Sequence, residues 1–158
     1  MTKEMKQIYT ERITSANRSE LIVVLYDIYA EYLSDALKAL NSGDLETFRN
    51  SVRKAEEVLV HLKSDLDFTY EISNELYAIY DYCHRLLSES LYKKDQKILF
   101  EAKKIMNNLK GAFEDIAKAD TSKPIMQNAE KVVYGMTYGR SDVNSTLLKT
   151  GGSRGFYV

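Results

Sequence analysis

Two histidines are the side chains in this sequence best suited to holding a metal ion. In helical bundles, di-iron sites need Glu-x-x-His on two helices and a glutamate from each of two others. His61 has Val58 three residues before it, whereas His84 has Asp81 at that spacing. One His–carboxylate pair is fewer than such a site requires, so we expect neither a metal site nor a metal cofactor.

The single cysteine is the next candidate for chemistry. Cys83 falls on an apolar helical stripe, and His84 and Arg85 are the only basic residues close to it in sequence, so we expect a buried structural thiol and not a nucleophile. One cysteine allows no intrachain disulfide and fits a cytoplasmic location. The glycine-rich run 151–155 lacks phosphate-loop spacing. No catalytic constellation emerges, so we expect that the protein is not an enzyme.

Binding through apolar and aromatic side chains is what remains. The chain has 158 residues, 44% of them hydrophobic, with 12 tyrosines and no tryptophan. Tyrosine suits both the wet edge of a core and an interface. The net charge of −1 gives no reason to expect nucleic acid or anionic lipid as a partner. No run approaches the ~18 apolar residues of a membrane span, so we expect no direct membrane insertion.

Apolar spacing predicts four long helices, which must carry whatever binding surface exists. The first begins at residues 18–20, where Asn17 and Glu20 have capping-box spacing and Ser19 is a competing N-cap, and it ends at 41–43. Asp44 caps a second helix that runs to about residue 67, and a third spans roughly residues 72–91. Asp95 caps the fourth. Because the loops are short, we predict an all-α, antiparallel four-helix bundle in up-down-up-down order.

The first helix has more apolar surface than one core requires. Its apolar arc covers roughly 220°, against about 100° for an ordinary surface helix. Two interpretations stay open. The helix is either the centre of its bundle, with a fifth element covering its outer face, or it lies between the core and a partner helix. The remaining polar arc consists of Glu20, Asp27, Glu31, Ser34, Asp35 and Lys38.

Both ends of the chain differ from the helical region. Residues 1–16 are polar, with Ile8 and Tyr9 as apolar anchors, and we expect a loop or a short docking helix. Residues 119–158 look like a linker, a candidate short helix at 125–136 and a glycine-rich tail. We hypothesise that this tail docks in a groove or supports self-association. Gly111, inside the fourth helix, is expected to permit a close approach.

Several runs, in order, resemble the FliS family of flagellar secretion chaperones. The resemblance covers roughly residues 8–118. It departs from the family pattern at three positions, where Arg18 replaces proline, Ile28 replaces glycine and Phe113 replaces tryptophan. The matching runs are Thr14-Ser15-Ala16, Glu20-Leu21-Ile22-Val23-Val24-Leu25-Tyr26-Asp27, Lys54-Ala55, Leu76, Ile79-Tyr80-Asp81-Tyr82, Arg85-Leu86 and Lys93-Lys94-Asp95.

The resemblance implies a chaperone domain over 1–118 that binds the disordered C-terminal segment of flagellin in apolar grooves between helices. That segment folds as it binds, which prevents premature polymerisation, and the complex is delivered to the flagellar export gate. The resemblance also implies that the N-terminal segment 1–16 is mobile and, through Ile8 and Tyr9, acts as a lid over a groove when flagellin is absent. A helical adaptor or structural bundle with another protein client is the alternative.

Combining the pattern with the resemblance gives a predicted set of partner-binding residues. We expect truncation of an outward-facing member, such as Tyr29→Ala, to weaken flagellin binding with little loss of fold. The set consists of Ile8, Tyr9, Leu21, Leu25, Tyr26, Tyr29, Leu33, Tyr77, Tyr80 and Tyr82.

Overall fold

A computed structural model describes residues 1–126, and within this range the chain is all-α, as predicted, with five helices and no strand. The candidate helix at 125–136 and the glycine-rich tail lie outside the described residues, except for Ile125 and Met126, which are not helical. The helices are α1 (Lys3–Ser15), α2 (Arg18–Ser42), α3 (Leu45–Ser64), α4 (Ile72–Lys93) and α5 (Gln96–Ala119).

Local sequence signals set the ends of α2. The Asn17 side chain accepts a hydrogen bond from the Glu20 N–H, and the Glu20 carboxylate accepts one from the Asn17 N–H, each at 2.9 Å. This capping box satisfies two backbone donors that a helix start leaves unpaired. Gly43 ends the helix with a left-handed φ of 76°, which glycine adopts without the Cβ clash of other residues.

The N-terminal segment is a helix, α1, that packs on α2. Of the two forms expected for residues 1–16, the short docking helix is therefore the one observed. Helix α2 also packs against α3 and α5, and α4 packs against the same two helices. The outer face of α2 is thus covered by a further element, which agrees with the interpretation that α2 is central.

Polar pairs give the relative direction of neighbouring helices. Between α5 and α2, Lys103 donates to Ser34 at 2.7 Å and Lys110 pairs with Asp27 at 2.5 Å. Because the number in one helix rises as the number in the other falls, these two helices are antiparallel. The pairs Ser88–Glu56 (3.0 Å) and Lys63–Asp81 (3.6 Å) show the same for α3 and α4.

A tyrosine pair lies in the core and joins three helices. The hydroxyls of Tyr26 on α2 and Tyr80 on α4 hydrogen-bond at 2.6 Å, and both side chains are almost completely buried. The Tyr26 ring also lies 5.4 Å from that of Phe113 on α5, centroid to centroid. Burial raises the pKa of both tyrosines, so both stay neutral, and each satisfies the polar group of the other.

Three expectations from the sequence concern whether a residue is buried or closely packed. Tyr29 is fully buried in the main core, so its predicted outward orientation is wrong, because α2 packs against α3 and α5 at once. Cys83 is also buried, as predicted, and burial raises the pKa of its thiol to about 12. Gly111 is exposed, and a Cβ placed there meets nothing within 4 Å, so the expected close approach is absent.

The buried tyrosines give a test of the core. Among the described residues, the Tyr29 hydroxyl is buried without a hydrogen-bond partner. Tyr29→Phe should therefore raise the free energy of unfolding by about 1 kcal/mol, whereas Tyr80→Phe should lower it by about 1–3 kcal/mol by stranding the Tyr26 hydroxyl. Urea denaturation measures both.

Tyr92→Phe is the matched control, since Tyr92 is 88% exposed and its change should stay within about 0.5 kcal/mol. A Tyr29→Phe variant destabilised as much as Tyr80→Phe would contradict this description of the core.

Candidate partner-binding surface

Helix α1 buries a small set of side chains that lies outside the main core. Tyr9, only 8% exposed, is the one buried apolar residue within α1, and Ala16 follows at the junction with α2. Val23 and Val24 of α2 are buried as well. None of the four belongs to the main hydrophobic cluster, so the cover that α1 provides is separate from the packing that holds α2–α5 together.

Ion pairs attach α1 to the polar arc of α2. The Arg12 guanidinium lies 2.8 Å from one Asp27 carboxylate oxygen, while Lys110 of α5 contacts the other. Arg12 also lies over the Tyr9 ring, 5.6 Å from its centroid, and the Met1 ammonium pairs with Asp35. Asp27 therefore links three helices, and α1 lies over the polar arc of α2.

Tyr9 is held in an environment that disfavours its phenolate. Burial is the main cause of its raised pKa, and the nearby carboxylates of Asp27 and Glu31 add to it, against the opposing charges of Arg12 and Lys110. The Tyr9 side chain, which belongs to α1, is therefore buried as the neutral phenol. Because it stays uncharged, the Tyr9 side chain can contribute apolar area to the attachment of α1.

A cavity of about 420 Å³ lies where the α1–α2 junction meets the end of α5. Its lining combines small or branched apolar side chains with both signs of charge, which suits a segment that is apolar on one side and polar on the other. The lining residues are Arg12, Ser15, Ala16, Glu20, Val23, Val24, Glu114, Ala117 and Lys118.

Hydrogen bonds beside this cavity connect the C-terminal end of α5 to the start of α2. The Asp120 carboxylate accepts a bond from the Ser19 hydroxyl at 2.6 Å, and its carbonyl accepts one from the Asn17 amide at 3.2 Å. The Ile125 N–H donates to the Ala16 carbonyl at 3.1 Å. These bonds tie the end of α5 to the first turn of α2. The bond from Ser19 is the largest cause that lowers the pKa of Asp120, to about 2.

The structure distributes the predicted partner-binding residues over different environments. Tyr26, Tyr29, Leu33 and Tyr80 are in the core, with Leu25 half-buried against it. Leu21 is also half-buried.

The remaining members of the predicted partner-binding set include both buried and exposed side chains. Tyr9 is a buried side chain of α1, whereas its neighbour Ile8 is 47% exposed and so does not anchor the helix. Tyr77 and Tyr82 of α4 are exposed. Only Tyr26 and Tyr80 of the set are joined by a hydrogen bond among the described residues.

Sequence reasoning did not single out Arg12 and Asp27, which attach α1 to α2, or the exposed ring of Phe68. Asp27 was visible as a member of the polar arc of α2, and its position next to Tyr26 could have indicated a docking point. Nothing in the sequence pairs it with Arg12, because the two lie on separate helices whose contact depends on the turn between them. Phe68 falls in a connection that carries no periodicity.

The described residues provide no sign of metal chemistry or membrane insertion. Within residues 1–126, no group of three or more histidine, cysteine, aspartate or glutamate side chains is placed to hold a metal ion. In the same range no helix has the length and apolar character needed to cross a bilayer. The fold and site define an all-α protein whose central helix is covered by a separately attached N-terminal helix.

Comparison with known proteins identifies the family. The model of the flagellar protein FliS family matches residues 1–120. The chain is 24% identical over 108 residues to the flagellar secretion chaperone FliS of Bacillus subtilis (strain 168), covering 68% of this chain and 81% of that protein. The chain therefore belongs to the FliS family of flagellar secretion chaperones, as its sequence motifs indicated.

The hydrogen bonds of Asp120 predict a pH dependence. A carboxyl group whose pKa is lowered from 3.8 to about 2 by folding stabilises the native state above the unfolded pKa, and this stabilisation is lost as the pH falls through the native value. The stability difference between wild type and Asp120→Asn should therefore be constant above about pH 5 and shrink towards pH 2. Urea denaturation across this range measures it, and an unchanged difference at pH 2 would contradict the assignment.

Proposed function

We propose that this protein is a cytoplasmic export chaperone for flagellin. It binds the disordered C-terminal segment of flagellin in apolar grooves between its helices, prevents premature polymerisation and delivers the segment to the flagellar export gate. Family membership and the Bacillus subtilis relative, which is a flagellar secretion chaperone, support this proposal. We further propose that residues 1–118 form the chaperone domain and that α2–α5 form an antiparallel, up-down-up-down four-helix bundle.

The observation that carries the proposal is the separate attachment of α1. Its buried side chain Tyr9 is not part of the main core. Arg12 of α1 and the Met1 ammonium just before it pair with Asp27 and Asp35, both on the polar arc of α2. Helix α1 can therefore leave without removing any residue from the main core of α2–α5. A removable cover over a central helix is what a protein needs if it must offer a surface to a client and hide that surface otherwise.

The energy that holds α1 is in a range that a client can overcome. Burying one large side chain such as Tyr9 stabilises the closed form by about 1.5–3 kcal/mol. A partly exposed ion pair such as Arg12–Asp27 adds about 0.2–1 kcal/mol. Closure of this strength reduces the apparent affinity of any segment that needs the open form, because the segment must first displace α1.

The predicted partner-binding residues would then have three roles. Tyr77 and Tyr82, which are exposed, and Leu21 and Leu25, which are half-buried, would contact a client helix through its apolar face. Ile8 and Tyr9 belong to the lid. The core members would shape the groove from below, and these are Tyr26, Tyr29, Leu33 and Tyr80.

The lid makes a quantitative prediction for binding. Tyr9→Ala removes most of the apolar area that closes α1, so the affinity for a synthetic C-terminal segment of flagellin should rise by about tenfold. Titration calorimetry with the full chain measures this. Binding by the wild type should have a negative heat-capacity change, the signature of apolar burial.

Ile8→Ala is the matched control, because the Ile8 side chain is exposed in the closed form and its loss should leave the affinity unchanged within about twofold. Equal or weaker binding by Tyr9→Ala would reject the lid. Absence of any binding by the well-folded wild type would reject flagellin as the client and favour an adaptor for another protein.

A further inference from the structure

The connection between α3 and α4 exposes a group of large apolar side chains that the cover helix does not reach. Phe68 is 55% exposed, Tyr70 is 65%, Ile72 is 56% and Tyr77 is 44%. The Phe68 and Tyr77 rings lie 6.0 Å apart, centroid to centroid. Helix α1 packs on α2, whereas these residues belong to α4 and the segment before it. We name this group, together with the carboxylates described next, the α3–α4 patch.

Acidic residues predominate in the sequence that carries these side chains. Between Lys63 and His84 the sequence contains five acidic residues and no lysine, arginine or histidine. One of the five, Asp81, already has cationic partners in Lys63 and Arg85. Among the described residues, the other four have no cation within 4.0 Å, and they complete the patch: Asp65, Asp67, Glu71 and Glu75.

Hydrogen bonds hold the connection in a defined shape. The Asp67 carboxylate accepts bonds from the Thr69 N–H at 2.9 Å and from its hydroxyl at 2.7 Å. The buried Ser73 hydroxyl donates to the Asp67 carbonyl at 2.6 Å. The bond from the Thr69 N–H is the largest cause that lowers the pKa of Asp67. A surface ordered before binding loses less entropy when a partner docks.

The patch also shows what kind of group it attracts. The Lys63 ammonium lies 5.7 Å from the centroid of the Tyr77 ring, near the Asp81 carboxylate. Aromatic faces and carboxylates both favour cations, and exposed apolar area favours apolar side chains. We propose that the α3–α4 patch binds a lysine- or arginine-rich segment of another protein that also carries apolar side chains.

A second copy of this chain is a weaker occupant. The segment 92–100 carries Tyr92, three lysines and Phe100, but Lys93 is already paired with Glu89. Such a contact would join two different surfaces of the same chain, and repeating it builds open chains unless the geometry closes a ring. The four carboxylates that have no cationic partner among the described residues, and the ordered shape of the patch, suit a separate basic partner better.

The proposal is tested with the full chain and an amphipathic peptide of lysine and leucine. Addition of the peptide should shift backbone amide NMR signals within residues 65–77, and a peptide with glutamate in place of lysine should not. Tyr70→Ala and the double variant Glu71→Gln/Glu75→Gln should each weaken binding about fivefold or more, as a central interface residue does. High salt should weaken it too.

Tyr92→Ala and Glu46→Gln are the matched controls, since both side chains are exposed and outside the patch, and neither should change the affinity. Circular dichroism verifies that every variant is folded. Shifts centred elsewhere, or equal losses in Tyr92→Ala, would overturn the proposal. So would a concentration-dependent dimer, detected by sedimentation, that Tyr70→Ala abolishes, because the patch would then bind a second copy.

The patch shares Tyr77 with the predicted flagellin-binding set, but the two proposals can fail separately. Tyr70→Ala should leave the affinity for the flagellin segment unchanged. Loss of flagellin binding in Tyr70→Ala would assign the patch to the client surface and so overturn a second partner. Tyr77 belongs to both the predicted partner-binding set and the patch, and for that reason it is not used as the test residue.

Discussion

The buried hydrogen bond between Tyr26 and Tyr80 fixes the orientation on which the candidate surface depends. Successive residues of a helix are rotated by about 100°, so anchoring Tyr26 in the core directs Asp27 away from it. Asp27 then meets Arg12 of α1 and Lys110 of α5. Two adjacent residues therefore couple the interior of the protein to its cover. A change that rotated α2 would disturb both at once.

The protein is held together at two levels of strength. The main core is built from side chains of α2–α5 that are almost completely buried, while α1 contributes Tyr9 and a few ionic contacts outside that core. Buried apolar area is the larger source of stability, and partly exposed ion pairs add little. Local opening starts where buried contacts are fewest, and α1 is such a place. This difference is the physical basis for proposing that α1 moves while the rest stays folded.

Much of this architecture could be predicted from the sequence because its signals are local. Asn17, Gly43, Asp44 and Asp95 all mark helix ends as expected, since capping depends on residues a few positions away. The end of α3 at Ser64 came earlier than predicted, because Asp67 forms a turn with Thr69. The inward orientation of Tyr29 and the ion pair between Arg12 and Asp27 could not be predicted from the sequence. Both depend on how separate helices pack, which periodicity within one helix does not determine.

The wide apolar arc of α2 had two interpretations, and the contacts of the described residues favour the central helix with a cover. That result changes where a client would bind, because α1 must move before the part of α2 beneath it is accessible. The most direct measurement is amide hydrogen exchange of the full chain with and without the C-terminal segment of flagellin. We expect the amides of α1 to lose protection from exchange when the segment binds, while the amides of α2–α5 keep or gain it. Protection of α1 that persists or increases in the complex would contradict it.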